Sequence, residues 1–388
     1  MNHALSIPRS TCRLFGAIKA LGTIQRSAIL VHGPRGCVYH INYIMGMRGD
    51  RPSRVYSTCL DEHDIIFGAE QTLVSAIEEL DRTLSPELIA VLSCCASSII
   101  GEDVGRAVRA THTRAKVIAI ESGGFEGDFR DGYRETLKRL VEELAEEPDV
   151  IQPHSVNLIG LLRAGPDLRE LKRILGMIGI HVNAVLTAGA TIHDIARMGN
   201  AALNVVLCEP SGKTAAEALQ NRFGTPFLIE DLPIGNEATH HFLEHIVQAL
   251  EMPESLTADQ ELTSQSTPFL SRRCVAIIGG PTRAVAMTRY LKEHGVEPRV
   301  IVLDFDGETR ERLQGFVSNQ CEILVEPEQD EIIRVLKEKG IDLILGGMLE
   351  RPLAALLGIE HLDIMHGSQK TMGFEGAWNL EQLLRKRD

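Results

Sequence analysis

The sequence is poor in aromatic residues and lacks both a long apolar segment and a basic tract. Aromatic side chains make up 4% of its 388 residues, and no uninterrupted apolar run reaches the roughly 18 residues of a membrane-spanning helix. Acidic residues (53) outnumber basic ones (40), giving a net charge of −13, and the longest basic run is Arg385-Lys386-Arg387. We therefore expect neither nucleic acid nor a membrane as a partner.

The sequence also lacks a secretory signal and the Cys-x-x-Cys pattern. Residues 1–13 have no apolar core ahead of a cleavage site of small residues, so we expect a cytoplasmic protein. The missing Cys-x-x-Cys argues against a zinc ribbon and a thioredoxin-like site. In a cytoplasmic chain, eight cysteines favour metal binding or catalysis over disulfides. Five of them lie in the first quarter of the chain: Cys12, Cys37, Cys59, Cys94 and Cys95.

Two segments resemble nucleotide-binding loops but lack residues that such loops need. Ser211-Gly-Lys-Thr214 ends like a phosphate-binding loop, yet Leu207 stands where the first glycine is required. Gly279-Gly-Pro-Thr282 does not fit Gly-x-Gly-x-x-Gly, and Pro281 removes a backbone N–H that a pyrophosphate would use. We expect this chain to bind neither ATP nor a dinucleotide.

About a dozen short β-branched runs, each followed by a helical pattern, indicate an α/β fold with parallel sheets. The clearest predicted strands are 28–31, 88–92, 116–120, 182–186, 203–207, 274–278, 299–303, 342–345 and 362–365. A dozen strands exceed one doubly wound sheet, and polar, proline-containing links occur at 148–153 and 252–273. The sequence therefore predicts three Rossmann-like domains, at 1–150, 151–265 and 266–388.

Several reactive side chains follow predicted strands, where parallel sheets bind their ligands. Cys37, Cys94, Cys95 and Cys208 occupy this position, and so does His366. Thiolates that converge from separate loops meet the requirement of an iron–sulfur cluster, although their spacing alone does not specify one. The alternative, in which the cysteines are small apolar residues that fill turns, stays open.

The remaining cysteine of interest, Cys12, precedes a helical pattern that begins with Leu14 and Phe15. A helix N-terminus favours the thiolate form of a cysteine placed there. Cys12 is thus a further candidate metal ligand.

Three motifs resemble component 1 of nitrogenase and its relatives, in particular the subunit that works with the ATP-driven iron protein. His32-Gly-Pro-Arg-Gly-Cys37 resembles the family pattern His-Gly-Pro-x-Gly-Cys. Residues 57–68 resemble its segment Glu-x-Asp-(Ile/Val)-(Ile/Val)-Phe-Gly, and 95–103 resemble Cys-x4-Ile-Gly-(Asp/Glu)-Asp. Weaker similarity continues to the C-terminus.

The resemblance implies that Cys12, Cys37 and Cys95 are the thiolate ligands of a 4Fe-4S cluster at the interface of a homodimer. The partner subunit would supply a fourth ligand or a matching set. Cys59 and Cys94 lie close to these motifs in the sequence, and either is an alternative ligand.

The family's cofactor cavity also has counterparts here. Residues 203–208, which end in Cys208, resemble the strand whose cysteine holds the nitrogenase metallocofactor, and 364–366 resemble the loop that carries its histidine. In shorter relatives this cavity takes a tetrapyrrole. Residues 362–374 and 95–103 most resemble the methanogen family that reductively cyclises nickel-sirohydrochlorin a,c-diamide, although some of its members lack a counterpart of Cys12.

By this resemblance, a separate iron protein hydrolyses ATP with Mg²⁺ and passes single electrons through the cluster to a bound nickel tetrapyrrole, which is reduced while a lactam ring closes. Arg35 and Arg48 are the candidate partners of the substrate carboxylates, and Cys208 lines the cavity. His32, Asp61 and His366 are the candidate proton donors or catalytic residues.

Three alternatives stay open at this point. The first is another reductase of the same superfamily, such as the dark-operative protochlorophyllide reductase type. The second is a scaffold on which the nitrogenase cofactor is assembled, and the third is a cluster-free binding module with structural cysteines.

Overall fold

In the computed structural model, three parallel sheets follow one another along the chain. It describes residues 11–47, 54–125, 127–161, 165–253, 273–305, 309–365 and 369–387. Thirteen strands within these ranges form sheets of four, four and five strands. An α/β fold with parallel sheets, predicted from the alternating pattern, is confirmed. Each sheet with its helices is called a unit below.

The first unit has the strand order β2-β1-β3-β4. Its strands are β1 (Ser27–His32), β2 (Val55–Ser57), β3 (Leu88–Ser93) and β4 (Lys116–Ile120). Its helices are α1 (Arg13–Leu21), α2 (Arg35–Met47), α3 (Glu62–Phe67), α4 (Glu70–Leu84), α5 (Cys95–Ile99), α6 (Val104–Arg109) and α7 (Phe129–Leu144). Every residue of β1 and β3 is buried, because helices cover both faces of the sheet.

The second unit repeats this order as β6-β5-β7-β8. Its strands are β5 (Gln152–Leu161), β6 (His181–Thr187), β7 (Ala201–Val206) and β8 (Phe227–Ile229). Its helices are α8 (Pro166–Met177), α9 (Ile192–Ala196), α10 (Glu209–Phe223) and α11 (Asn236–Ala249), with a 3-10 turn at Arg197–Asn200.

The third unit has five strands in the order β11-β10-β9-β12-β13. They are β9 (Val275–Gly279), β10 (Val300–Leu303), β11 (Glu322–Val325), β12 (Leu343–Gly346) and β13 (Glu360–Asp363). Its helices are α12 (Pro281–Glu293), α13 (Thr309–Gln314), α14 (Gln329–Glu338), α15 (Glu350–Leu357) and α16 (Gly373–Arg385). The last helix, α16, packs against α8 and α11 of the second unit.

The units share apolar cores. One cluster of buried side chains joins the first unit to Ile159, Leu186 and Val206 of the second, and another joins the second unit to the third. Within the described residues, no helix combines the length and the apolarity needed to cross a membrane.

Helices α1 and α7 cross in close contact, and two glycines permit this. A Cβ at Gly16 would overlap the Phe129 carbonyl oxygen. A Cβ at Gly132 would overlap the Arg13 carbonyl oxygen. The crossing fixes the start of α1, and with it Cys12, against the start of α7.

Candidate functional site

The cysteines of the first unit lie at its topological switch point. In the order β2-β1-β3-β4, connections leave β1 and β3 in opposite directions, which opens a crevice beyond their carboxyl ends. Cys37 stands in the first turn of α2, directly after β1, and Cys94 and Cys95 follow β3. The placement expected from the sequence is therefore found for these three residues.

Four free cysteines, Cys12, Cys37, Cys94 and Cys95, lie near one another at this crevice. A hydrogen bond with Cys94 is the largest cause of the raised pKa of Cys37, followed by burial, and the charges of Cys94, Cys95 and Cys12 raise it further. A Cβ at Gly124 would lie 3.1 Å from Cys95 Sγ and 3.2 Å from Cys12 Cβ. The loop at Gly124 therefore lies between two of the predicted ligands.

Cys12 is the N-cap residue of α1 and is exposed. Its backbone forms an antiparallel bridge with Asp128, and the Phe129 N–H donates to the Thr11 carbonyl at 2.9 Å. The start of α7 therefore holds the Cys12 backbone in place.

Cys95 begins α5 and is partly exposed. Its sulfur accepts the Gly124 N–H at 3.2 Å. Hydrogen bonds from backbone N–H groups to cluster sulfurs orient the ligands and tune the reduction potential of iron–sulfur sites.

Cys94 lies behind the other three cysteines and is 1% exposed. A Cβ at Gly33 would overlap its sulfur, so glycine is required there. The pKa of Cys94 is lowered to about 6, chiefly by the hydrogen bond from Cys37. Burial raises this pKa, whereas hydrogen bonds from the Ser97 and Ala96 backbone lower it further. Cys94 thus shares a hydrogen bond with Cys37.

Cys59, the other alternative ligand, faces its own loop. It has a left-handed backbone (φ 59°), and its sulfur donates to the Ser57 carbonyl at 3.5 Å.

His32 is completely buried at the end of β1. Its Nδ1 lies 3.1 Å from Thr58 Oγ1, which also accepts the Gly33 N–H at 3.1 Å, while Nε2 has no hydrogen-bond partner among the described residues. Burial lowers the pKa of His32, against the weaker opposite effect of Glu102 and Asp64. The imidazole is therefore neutral at pH 7 and braces the loop that leads to Cys37.

Two other predicted residues of the first unit, Asp61 and Arg35, lie on its surface. Asp61 caps α3 and accepts the N–H groups of His63 and Asp64 at 2.9 and 3.1 Å. Arg35 is exposed at the start of α2. Arg48 and His366 lie outside the described residues.

Large apolar side chains are exposed on several elements of the first unit, among them α2, which carries Cys37, and α5, which carries Cys95. They are Tyr39 and Tyr43 of α2, Ile65, Ile66 and Phe67 of α3, Ile99 of α5, and Phe125. We call these seven residues the apolar set. Several large apolar side chains exposed in one region are typical of a protein–protein contact.

The second crevice holds a single cysteine. Cys208 follows β7 at the switch point of the second unit and is the N-cap residue of α10. Its sulfur lies 3.3 Å from Ser211 Oγ and 3.4 Å from Thr282 Oγ1 at the start of α12. Cys208 therefore faces the third unit.

The side chains of the thiol crevice suit an iron–sulfur cluster better than a single ion. Among the described residues, no three His, Cys, Asp or Glu side chains are arranged to hold one metal ion. Instead, Cys12, Cys37 and Cys95 offer partly accessible sulfurs from three separate loops, and a backbone N–H points at one of them. Such a donor set fits a group larger than one ion.

Residues 12–385 match the family model of the nitrogenase component 1 type oxidoreductases. The chain is 27% identical to the nitrogenase iron-molybdenum cofactor biosynthesis protein NifE of Clostridium pasteurianum, over 96% of this chain and 86% of that protein. It is 28% identical to NifE of Methanosarcina barkeri, over 100% of this chain and 90% of that protein. It is 24% identical to the nitrogenase molybdenum-iron protein beta chain of Methanococcus maripaludis, over 96% of this chain and 92% of that protein.

The fold has a counterpart among solved structures. That of nitrogenase Cp1 at pH 6.5 superimposes with a TM-score of 0.82 over 98% of this chain and 93% of the other, at 20% sequence identity. At this identity the likeness shows the fold alone.

Proposed function

Because the chain belongs to the nitrogenase component 1 type oxidoreductases, we propose that it is the cluster-bearing component of a two-component reductase. Proteins of this family bind iron–sulfur clusters and work with an ATP-dependent iron protein. The observation that carries the proposal is the meeting of three cysteine-bearing loops at the crevice between β1 and β3.

In this proposal Cys12, Cys37 and Cys95 hold a 4Fe-4S cluster. When bound, the cluster accepts and passes on single electrons. The Gly124 N–H stabilises negative charge on the Cys95 sulfur, and the crossing of α1 with α7 keeps Cys12 at its place. Cys94 supports Cys37 from behind through their shared hydrogen bond.

A second copy of the chain covers the thiols in the proposed assembly. The proposed cluster ligands are exposed or partly exposed, and Tyr39, Tyr43 and Ile99 of the apolar set lie on the helices that carry Cys37 and Cys95. Burying apolar side chains against an identical surface would exclude water from the cluster. The iron protein supplies the electrons and hydrolyses ATP with Mg²⁺, which agrees with Leu207 in place of the phosphate-loop glycine.

We assign substrate binding to the crevice of Cys208 and Thr282, between the second and third units. The proposed substrate is nickel-sirohydrochlorin a,c-diamide, a carboxylate-rich nickel tetrapyrrole that is reduced and closed to a lactam. Arg35, at the start of α2 in the first unit, and Arg48 are the proposed partners of substrate carboxylates that project out of this crevice. Asp61 and His366 are the proposed proton donors, and His32 would act only through Thr58, because its imidazole is buried.

A second candidate function is assembly of a nitrogenase cofactor. The observation in its favour is the 27–28% identity to NifE proteins over nearly the whole chain. In that role the crevice of Cys208 would hold an iron–sulfur precursor without turning over a tetrapyrrole.

The first experiment measures iron, acid-labile sulfide and the low-temperature EPR spectrum of the chain after anaerobic purification and dithionite reduction. We expect a reduced-cluster signal that is lost in Cys37→Ser while the far-UV circular dichroism is retained. Folded wild-type protein that contains no iron after anaerobic reconstitution would contradict the proposal.

The second experiment separates the two candidate functions. The chain is incubated with a nitrogenase-type iron protein, MgATP, dithionite and nickel-sirohydrochlorin a,c-diamide, and the tetrapyrrole is followed by its absorption spectrum and mass. Cyclised product supports the reductase. Unchanged tetrapyrrole, together with tight binding of an iron–sulfur precursor, supports the scaffold instead.

A further inference from the structure

Arg130, in the first turn of α7, joins the thiol crevice to the third unit. Its guanidinium donates from Nε to Asp128 Oδ2 at 2.8 Å. Its Cζ lies 4.9 Å from the centre of the Phe305 ring, and a terminal nitrogen lies 3.6 Å from Glu326 Oε1. One side chain thus contacts two units at once.

On the side of the first unit, Arg130 acts on the residue that holds Cys12. Asp128 pairs with Cys12 through the backbone bridge, and its carboxylate also accepts the Arg130 backbone N–H at 2.8 Å. Both the backbone and the side chain of Arg130 therefore fix Asp128. A change in the position of the guanidinium would be transmitted to the Cys12 loop through one residue.

On the side of the third unit, Arg130 contacts the edge of the sheet where ligands bind. Phe305 follows β10 and Glu326 follows β11, so both stand at carboxyl ends of parallel strands. Glu326 has a left-handed backbone (φ 50°), which is unfavourable for a residue with a Cβ. Its N–H donates to the Leu303 carbonyl at 3.0 Å, which ties β11 to β10 at this edge.

From these contacts we infer that Arg130 is a positioning residue that couples the cluster ligand Cys12 to the ligand-binding edge of the third unit. The inference rests on the proposed function, in which the cluster lies in the first unit and the substrate between the second and third. Movement of the third unit around its substrate would then change the position of the cluster ligand Cys12 through Arg130 and Asp128.

The chemistry of arginine fits this role and that of lysine does not. A planar guanidinium can pair with Asp128, lie over the Phe305 ring and face Glu326 in one conformation. A lysine ammonium is a point charge and would satisfy the Asp128 contact alone. Arg130→Lys therefore tests the coupling while it keeps the positive charge at this position.

A first test needs no cluster. In cluster-free protein kept reduced, the rate at which N-ethylmaleimide labels Cys12 is followed by mass spectrometry of the peptide that contains it. We expect labelling to be several-fold faster in Arg130→Gln, which loses the Asp128 contact, and modestly faster in Arg130→Lys and in Glu326→Gln, which lose contacts to the third unit only. The matched control is Arg134→Gln, because Arg134 lies one turn further along α7 and pairs with Asp131 of the same helix at 2.7 Å. Wild-type labelling rates in both Arg130 variants would overturn the inference.

A second test uses anaerobically reconstituted protein. We expect Arg130→Lys to change the EPR line shape and the midpoint potential of the cluster at unchanged iron content, whereas Arg134→Gln leaves both as in the wild type. A spectrum and a potential identical to the wild type in Arg130→Lys would refute the coupling.

The two proposals can fail separately. Wild-type protein without a cluster would refute the proposed function, and the labelling rates would still decide whether Arg130 positions Cys12. If Arg130→Gln does not fold, as judged by its thermal midpoint, Arg130→Lys and the exposed Glu326→Gln decide the outcome.

Discussion

The crevice between β1 and β3 and the crevice between β5 and β7 are built by the same strand order, yet they hold different side chains. The first gathers four cysteines, three of them partly exposed, beside the apolar set. The second holds Cys208 alone, against hydroxyl groups of Ser211 and Thr282. The sheet fixes where a ligand binds, and the residues that follow the strands decide which ligand it is.

The difference also concerns what encloses each crevice. Three of the four thiols of the first crevice are exposed or partly exposed, whereas Cys94 is buried. Cys208 faces another unit of the same chain. The predictions below test this contrast, from the largest expected effect to the smallest.

Replacing one thiol of the first crevice is expected to have the largest effect. Cys95→Ser removes a soft thiolate ligand and the acceptor of the Gly124 N–H, so most cluster iron and the reduced EPR signal should be lost. Iron analysis after anaerobic reconstitution measures this. The control is Cys274→Ser, at a cysteine just before β9 in the third unit, which should keep the wild-type iron content. Full iron in Cys95→Ser would mean that Cys95 is not a ligand.

Filling the α1–α7 crossing is expected to destabilise the first unit. Gly132→Val places side-chain carbon on the Arg13 carbonyl oxygen, and overpacking of this kind typically costs about 1–3 kcal/mol. Urea unfolding followed by circular dichroism measures the loss. The matched control is Gly176→Ala in α8, where a Cβ meets no atom within 4 Å and a gain of about 0.5–1 kcal/mol is expected. Equal stabilities of the two variants would show that the helices do not cross closely.

The pH dependence of stability reports on the contact between the second and third units. Burial first, and then Glu237, raise the pKa of Glu293 to about 7 from 4.5, while Arg289 opposes this. Between these two values the folded protein binds a proton that the unfolded chain has released, so stability falls as pH rises. The fall is complete above about pH 7. For this half-buried group we expect roughly 1–2 kcal/mol after solvent screening.

The measurement compares urea unfolding of the wild type and of Glu293→Gln at pH 5 and pH 8. The variant lacks the titrating carboxyl, so its stability should fall less over this interval. An equal fall in both proteins would mean that Glu293 titrates normally.

Much of the fold follows from the sequence, because strands buried on both faces are continuous apolar runs. The predicted strands 88–92 and 116–120 agree with β3 and β4 within one residue. The predicted strand 362–365 instead begins at 360, because the edge strand β13 starts with polar residues. Helix α7 begins at Phe129, after the cap formed by Asp128 and Asp131.

Less of the candidate site could be predicted. Resemblance supplied Cys12, Cys37 and Cys95, and the structure brings them together. The burial of Cys94 depends on its contact with Gly33, which is distant in sequence, and Arg130 contacts Phe305 and Glu326 across units. Such contacts join residues distant in the sequence and therefore leave no local pattern.

The smallest expected effect is that of Cys208→Ser on the cluster. Cys208 lies in the second crevice and contacts hydroxyl groups, so a serine can keep its hydrogen bonds to Ser211 and Thr282. We expect wild-type iron content and EPR signal, and a change in unfolding free energy within about 0.5 kcal/mol. Reduction of the tetrapyrrole should still be impaired, because the thiol lines the proposed substrate crevice. Loss of cluster iron in this variant would show that the two crevices share one metal group, since Cys208 lies in a different unit from the thiols of the first crevice.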